Sequence, residues 1–435
     1  MPREDQTPFE TKPSDCRSKT NAMVTQSMYE HGSIRPSNIR ESFVPMQTAD
    51  LVEYLAQHPA LSACAQSSFR QLASMVLSLL HHLYRQRHEQ LATAYAPLDP
   101  DRDTLLTRVP IPSQRDRMAE EVFARIQDAL HRANYRRLSQ EDIEQALQAA
   151  SQWGIRMRVN FGMLHRLEIY SRGSVIGKRA RRSWRKRFKL EMLDVPLYQR
   201  LVVVFRTIDG HKSPEHFDAR RVYLRMFKNV PQQDVDMMLP ASGIQMSWLD
   251  HSRVVLPSMY AVGMTFWRVL RNVLLLTLVG LFKTVALFFI VVFAVGFGVK
   301  SMFTYSANTR RRYLLNMAQS LYYQNLDNNA GVMFRLLEDG EQQEACEAIL
   351  AYFVAAIVLT GRTEITLTEI STHCEAIVLE ATGVSVAFDI DAASRDLVHL
   401  GMLKMNQDFW TALPLPAAVK QLDATWDNWF NPDYS

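Results

Sequence analysis

Cysteine is scarce in this chain. Its 435 residues hold four, Cys16, Cys64, Cys346 and Cys374, far apart and with no C-x-x-C pair. That spacing excludes a zinc knuckle and a dithiol redox motif, and four scattered thiols fit a reducing compartment better than a disulfide framework. Also missing are a Walker A loop, a dinucleotide fingerprint, a G-x-S-x-G elbow and an H-E-x-x-H helix. No residue is therefore assigned a catalytic, cofactor-binding or metal-ligating role. The opening MPREDQTPFETKPSD lacks the apolar core of a secretory signal peptide, and residues 1–40 are expected to be a disordered leader.

Charge is nearly absent from one long stretch. Residues 272–299, NVLLLTLVGLFKTVALFFIVVFAVGFGV, carry only Lys283. An apolar run of this length predicts a membrane segment, since a spanning helix needs about 20 such residues. As a helix it would rise about 42 Å against a hydrocarbon core of roughly 30 Å. Two solutions follow: one strongly tilted span with Lys283 near its middle, or a hairpin of 262–282 and 284–305 that turns near Lys283. Bases flank both ends: Arg253, Arg268 and Arg271 before the run, Lys300, Arg310, Arg311 and Arg312 after it. The positive-inside rule then puts both ends on the cytoplasmic side and favours the hairpin over 258–305. Trp267, Arg268, Arg271, Lys283 and Lys300 are the expected anchoring residues, at or near the interface.

The rest of the chain alternates between helical and strand patterns. Apolar residues recur at three- and four-residue spacing from Thr48, from 67 to 94 and from 114 to 134, and Ser139 with Asp142 imitates a capping box. Residues 41–152 therefore predict a helical bundle. From Trp153 the chain turns β-branched and aromatic in runs bounded by Gly, Pro and Asp, which predicts a small antiparallel β domain over 153–257, ending in a hairpin around LDHSR. Residues 306–361 are expected to be helical, with AILAYFVAAIVL too short to span a bilayer and better read as a core helix. From 362 to 435 the order helix, short strand, helix, strand, strand is winged-helix-like. The fold class predicted is thus a multi-domain α+β membrane protein.

Charge is also unevenly placed. Between Arg156 and Lys189 lie twelve Lys or Arg and one acid, Glu168, densest in GKRARRSWRKRFK. Arg179, Arg181, Arg182, Trp184, Arg185, Lys186 and Arg187 form a candidate contact with a membrane surface, anionic lipid being the preferred partner. Trp184 and Phe188 among the bases also suit nucleic acid, which ranks last; the bland alternative is a solvated loop. From 362 onward eleven acids face four bases, so the winged-helix-like module lacks the positive face that phosphate binding needs and reads as a protein-interaction or self-association module.

Three patterns imitate sites. DPDRDT opens like a calcium loop, but Thr104 stands where Gly is needed and Pro110 where Glu is needed. His81, His82 and His88 share a helix without a carboxylate at ligand spacing. Glu341, Glu344 and Glu347 recur every three residues, which usually marks a solvated face; converging in a cleft, they would suit an enzyme acting on a lipid or membrane-bound substrate.

Taken together, RESFVPMQTADLVEYL, YAPLDPDRDT, ANYRRLSQEDIEQAL, LHRLEIYSRG, VYLRMFKNVPQQDVDMMLP, SLYYQNLDNNAGVMFRLLEDGEQQEACEAILAYF, VAFDIDAASRDLVHLGML and WDNWF resemble the transmembrane protein 143 family. The resemblance implies a membrane protein with adjacent hydrophobic helices and brings no activity or catalytic residue with it. The expectation is a non-enzymatic, membrane-anchored scaffold in a bacterial inner membrane with both termini cytoplasmic. An oligomeric transporter or channel is the weaker alternative.

Overall fold

The computed structural model describes residues 35–36, 39–105, 111–144, 156–182, 190–208, 217–240, 242–245, 322–362, 364–406 and 409–429, with eight single positions between 264 and 318. In chain order the elements are β1 (Arg35–Pro36), α1 (Thr48–Ala56), α2 (Gln66–Tyr95), α3 (Pro112–Arg132), β2 (Arg136–Arg137), β3 (Arg156–Val159), β4 (Leu164–Arg182), β5 (Leu190–Thr207), β6 (Tyr223–Pro231), α4 (Val235–Met238), β7 (Ser242–Gln245), β8 (Asn325–Asn328), α5 (Ala330–Phe353), α6 (Leu367–Thr382), α7 (Ile390–His399), β9 (Leu403–Asn406), β10 (Phe409–Ala412) and α8 (Leu415–Asp427).

The main sheet runs β1-β4-β5-β6-β8, with β2 also on β4, and every pairing is antiparallel. Leu201 to Phe205 is apolar without alternation because both faces of β5 are covered. Val202 and Val204 look toward α3, the second half of α2 and the first half of α5. Leu201, Val203 and Phe205 look the other way, toward Leu138, Val235 and Met238.

Helix α5 joins these layers to the rest. Its first half is one-sided, with Val332, Met333, Leu336 and Leu337 on the sheet; from Ala345 to Phe353 every residue is buried. A helix apolar all round lies inside a core. Here that core is shared by α1, the first half of α2, α6, α7, β9 and α8. The last turn widens into a π turn at Val354–Val358. The segments read as separate units in the sequence therefore share their apolar interiors along α5.

The C-terminal module has the expected order of helices and hairpin. Thr366 and Glu369 form a reciprocal capping box on α6, and Gly383 at φ 70° ends it. Helix α7 follows, β9 and β10 pair, and Ile365 bridges Trp410 on the other side of the hairpin. VSVAFDI contributes only one bridge, parallel, from Val386 to Glu41.

The membrane hairpin expected over 258–305 is not carried by the structure. Among the described residues no helix is long and apolar enough to cross a membrane. The two longest helices among the described residues are amphipathic or core-packed: α2 carries Arg70, Arg85, Arg87 and Glu89, and α5 carries Arg335, Asp339, Glu341, Glu344 and Glu347. A spanning helix tolerates few such charges. The multi-domain membrane-protein class is corrected to a mixed helix and antiparallel-sheet fold, with no transmembrane helix among the described residues. Of the anchoring residues, Trp267 and Lys300 are helical and exposed, while Arg268, Arg271 and Lys283 lie outside the described residues, as do most of the apolar run and the LDHSR turn.

Two further expectations need correction. The stretch 306–361 is not helical throughout, since Asn325–Asn328 is a strand on the edge of β6. Asparagine and aspartate are poor helix formers, and Asn329 at φ 47° turns the chain from that strand into α5. Arg35 and Pro36, inside the expected leader, pair with Ile176 and Val175 of β4.

Shared interiors predict shared unfolding. Phe353 is fully buried, with its ring edge-on to Phe69 at 5.4 Å and to His58 at 5.3 Å. Phe353→Ala should cost about 3–5 kcal/mol in urea unfolding. Far-UV circular dichroism and tryptophan fluorescence should move together in one transition, because Trp410, in the C-terminal module, packs on the same core.

Candidate functional site

The carboxylates of α5 are not a solvated face. Glu341 lies nearest the surface and meets His81 Nδ1 at 3.0 Å. Glu344 is buried, with a side chain only 4% exposed, and takes Arg87 of α2 on one oxygen at 3.0 Å and Arg132 of α3 on the other at 2.8 Å. Glu347 is buried one turn later, where Asn134 Nδ2 donates to it at 2.6 Å and Gln343 Nε2 at 2.7 Å.

Local structure explains why these partners arrive. Arg132 ends α3, and Asn134 follows in the left-handed region at φ 57°. Asparagine tolerates that conformation better than most residues. Its N–H donates to His131 O, and its side-chain amide is free to reach Glu347. Gly340 lets α2 approach: a Cβ there would stand 3.0 Å from Tyr84 Oη. Asp339 adds a third tie, to Arg172 of β4 at 3.2 Å and from Tyr135 Oη at 3.0 Å.

Burial dominates the titration of this region. It pushes Glu347 from 4.5 up to about 8, against the amides of Gln343 and Asn134, which pull the other way; the charges of Asp389 and Glu344 add to the rise. It also pushes Asp396 of α7 to about 6, helped by Glu344 and opposed by Arg87 and Arg132. The neighbouring Cys346 thiol is pushed to about 12 and is inert, bonded to Thr48 at 3.4 Å. Helices α5 and α7 thus face each other with Glu344, Glu347, Asp389 and Asp396, against the two arginines.

The three glutamates do not converge in a cleft. Both oxygens of Glu344 and Oε1 of Glu347 are taken by partners from the same chain, an arrangement that binds helices together. The other imitated sites are dispersed too. His82 meets the rings of Trp426 and Trp429, His88 lies 4.5 Å from the Phe334 ring, and His81 goes to Glu341. In DPDRDT, Asp99 accepts from the Asp101 amide at 3.0 Å, and Asp101 accepts from Asn329 Nδ2 at 2.5 Å. That loop fastens the start of α5. No group of three metal-type ligands stands together among the described residues.

The basic patch falls on a β arm. β4 pairs with β5 from Leu164 out to Arg182, with Arg181 opposite Glu191 and Lys178 opposite Asp194. Pairing of β4 with β1 ends at Ile176, and pairing of β5 with β6 ends at Leu197. Beyond those points residues 177–182 and 190–196 pair only with each other among the described residues, a two-stranded extension of roughly 20 Å. Arg179, Arg181 and Arg182 are placed on its β4 strand; Trp184, Arg185, Lys186 and Arg187 lie outside the described residues. Nearer the root the charge is used internally. Arg166 and Arg137 pair with the buried Glu168, and Arg172 pairs with Asp339.

The partners Arg87, Arg132, Asn134 and Asp396 were not foreseen. The available signal was the density of apolar residues after Gln343: acids embedded in EACEAILAYF must be buried, and buried acids need partners.

Because Glu347 holds its proton only in the folded chain between pH 4.5 and about 8, stability should fall as pH rises through that window and stay low above it. Asp396 contributes with the same sign up to about pH 6. Glu347→Gln keeps the acceptor oxygen and removes the charge. It should leave stability at pH 5 little changed and raise it at pH 9 by on the order of 3 kcal/mol, flattening the pH profile of urea midpoints.

A family model described as "Protein of unknown function (DUF3754)" matches residues 198–331, from the middle of β5 through β6 and β8 into the start of α5. No solved structure matches the chain.

Proposed function

We propose that this chain is a non-catalytic interaction protein whose β arm carries a basic tip onto an anionic lipid surface. The observation that carries the reading is the position of the charge. The sequence from 178 to 194 holds eight Lys or Arg against Glu191 and Asp194, a net charge of +6, and its described parts, 178–182 and 190–194, lie where β4 and β5 extend past the rest of the sheet. Open strand edges bearing lysine and arginine discourage pairing with other strands, so side-chain charge is the arm's means of contact. Headgroup attraction of about 1 kcal/mol per basic residue near an anionic surface would be additive along such a tip. A surface contact of this kind requires no spanning helix.

Two observations support a binding role over an enzymatic one. The α5 carboxylates, the strongest enzyme candidates, are engaged by arginine and amide partners. The C-terminal module is net negative, and its helix α7, placed where winged helices read nucleic acid, packs against α5.

The full chain is tested by flotation with phosphatidylserine-rich vesicles and with phosphatidylcholine vesicles. Binding should be selective for the anionic vesicles and should be released by raised salt, since the screening length shortens from about 8 Å at physiological strength to about 3 Å at 1 M. Replacing Arg179, Arg181, Arg182, Arg185, Lys186 and Arg187 with Gln should weaken it about a hundredfold or more. Equal binding to neutral vesicles, or no effect of the six substitutions, overturns the reading. Salt-sensitive binding to single-stranded RNA that outcompetes the vesicles replaces lipid with nucleic acid.

A further inference from the structure

The segment from Arg35 to Val44 makes contacts that no single element of the fold requires. Arg35 and Pro36 lie along the outer edge of β4, opposite Ile176 and Val175. Arg40 Nε donates to Val386 O at 3.0 Å, and its guanidinium pairs with Glu375 of α6. The backbone of Glu41 is threaded into the C-terminal module: its N–H donates to Ser385 O at 2.9 Å, and its C=O accepts from the Ala387 N–H at 2.7 Å. Its side chain points the other way. Glu41 Oε1 accepts from the Ser174 N–H of β4 at 2.7 Å, and the residue is 9% exposed. Val44 N–H then donates to Gln343 of α5 at 3.2 Å.

Ser174 is no ordinary rung of the ladder. Gly173 just before it sits at φ 73°, a left-handed backbone inside a strand. A Cβ at that position would lie 2.4 Å from the Gln199 side chain, so only glycine fits. Arg172 on the near side is fixed: it pairs with Asp339, donates to Ala133 O at 3.2 Å and lies over the rings of Phe43 and Tyr135. The kink therefore separates a clamped root from residues 174–182, about 30 Å of strand, of which 174–176 still pair within the sheet and 177–182 extend past it. A tilt of about 10° at Gly173 would move the tip by roughly 5 Å over that length.

The geometry points to Glu41 as a latch. We propose that one residue, through its backbone on the 385–387 loop and its carboxylate on Ser174, sets the tilt of the arm and the seating of the C-terminal module together. Movement of the acidic module is then transmitted to the basic tip, and the anionic surface that the tip meets biases the module in return. Glu41 is a positioning residue in this scheme. The inference takes the arm's binding role from the proposed function, but its coupling is read without any ligand.

Amide hydrogen exchange on the full chain, free of lipid, tests it. Glu41→Ala should speed exchange at Ser174–Ile176 and at Ala387 together by about tenfold or more, the scale of a lost hydrogen bond to a charged group. The amides of Leu201–Phe205 should keep their protection. Glu41→Gln retains the acceptor oxygen and should restore most of the protection at both places. The decisive variant is Arg40→Ala, which touches only the module side and leaves the Glu41 carboxylate intact. Under the latch it should speed exchange at Ser174–Ile176 as well as at Ala387. Acceleration at Ala387 alone, or protection at Ser174 unchanged by Glu41→Ala, overturns the coupling. Loss of vesicle selectivity with the exchange pattern intact would instead strike the lipid reading and spare the latch.

Discussion

The rest of the structure depends on the burial of two carboxylates on one helix. Glu344 and Glu347 sit where α5 passes from the sheet layer into the mostly helical core; burying the Glu344 charge costs several kcal/mol unless partners replace the solvent, and Glu347 meets the same cost by keeping its proton to about pH 8. Both partners of Glu344 and one of the two of Glu347 come from outside α5: Arg87 from α2, Arg132 from α3 and Asn134 from the turn after α3. Apolar packing alone would tolerate small slips of these helices. Buried hydrogen bonds do not, because a misregistered helix strands an ionised Glu344 and an unpaired polar Glu347 in a low-dielectric interior. The cluster therefore serves to fix register.

From that helix the constraint passes outward. Asp339 holds Arg172, Arg172 stands one residue before the Gly173 kink, and Ser174 beyond it is held by Glu41. The β arm thus has a root clamped to the core and an outer part restrained by a strap that also threads the C-terminal module. A charged hairpin on a long flexible loop would lose its orientation on every encounter. The same charge on a paired ribbon with a fixed root meets a flat surface with much less conformational entropy left to lose. This is the physical sense in which the fold serves the binding role proposed for the arm.

Much of the fold was legible where one period dominates. Helix α2 follows from Phe69, Leu72, Val76, Leu79 and Leu80 at three- and four-residue spacing, and α6 from the run LTEISTHCEAIVLEATG, whose capping box the structure adds. Strands β4 to β6 were readable from their β-branched runs. Strand β8 was not, because NLDN has no strand signal of its own; it exists because the edge of β6 offers unpaired groups beside it. The membrane hairpin was read from hydropathy and flanking charge, and the long helices of the described fold turned out to be amphipathic or core-packed. The arm's basic residues were legible as a charge run, whereas the placement of Arg179, Arg181 and Arg182 beyond the sheet depends on where β1 and β6 stop pairing.

The amino-acid sequence by itself determined the local elements, the asymmetry between a basic centre and an acidic C-terminal part, and the absence of known catalytic motifs. These are properties of neighbouring residues, and periodicity, caps and charge counts report them directly. The tertiary structure alone decided which acids are buried, which arginines reach them and where the N-terminal strap lies. Glu344 and Arg87 are 257 positions apart, and Arg40 and Val386 are 346 apart. No local pattern encodes such meetings, because they arise only when α5 brings two cores together and the desolvation of each charge must be balanced by whatever group the packing delivers.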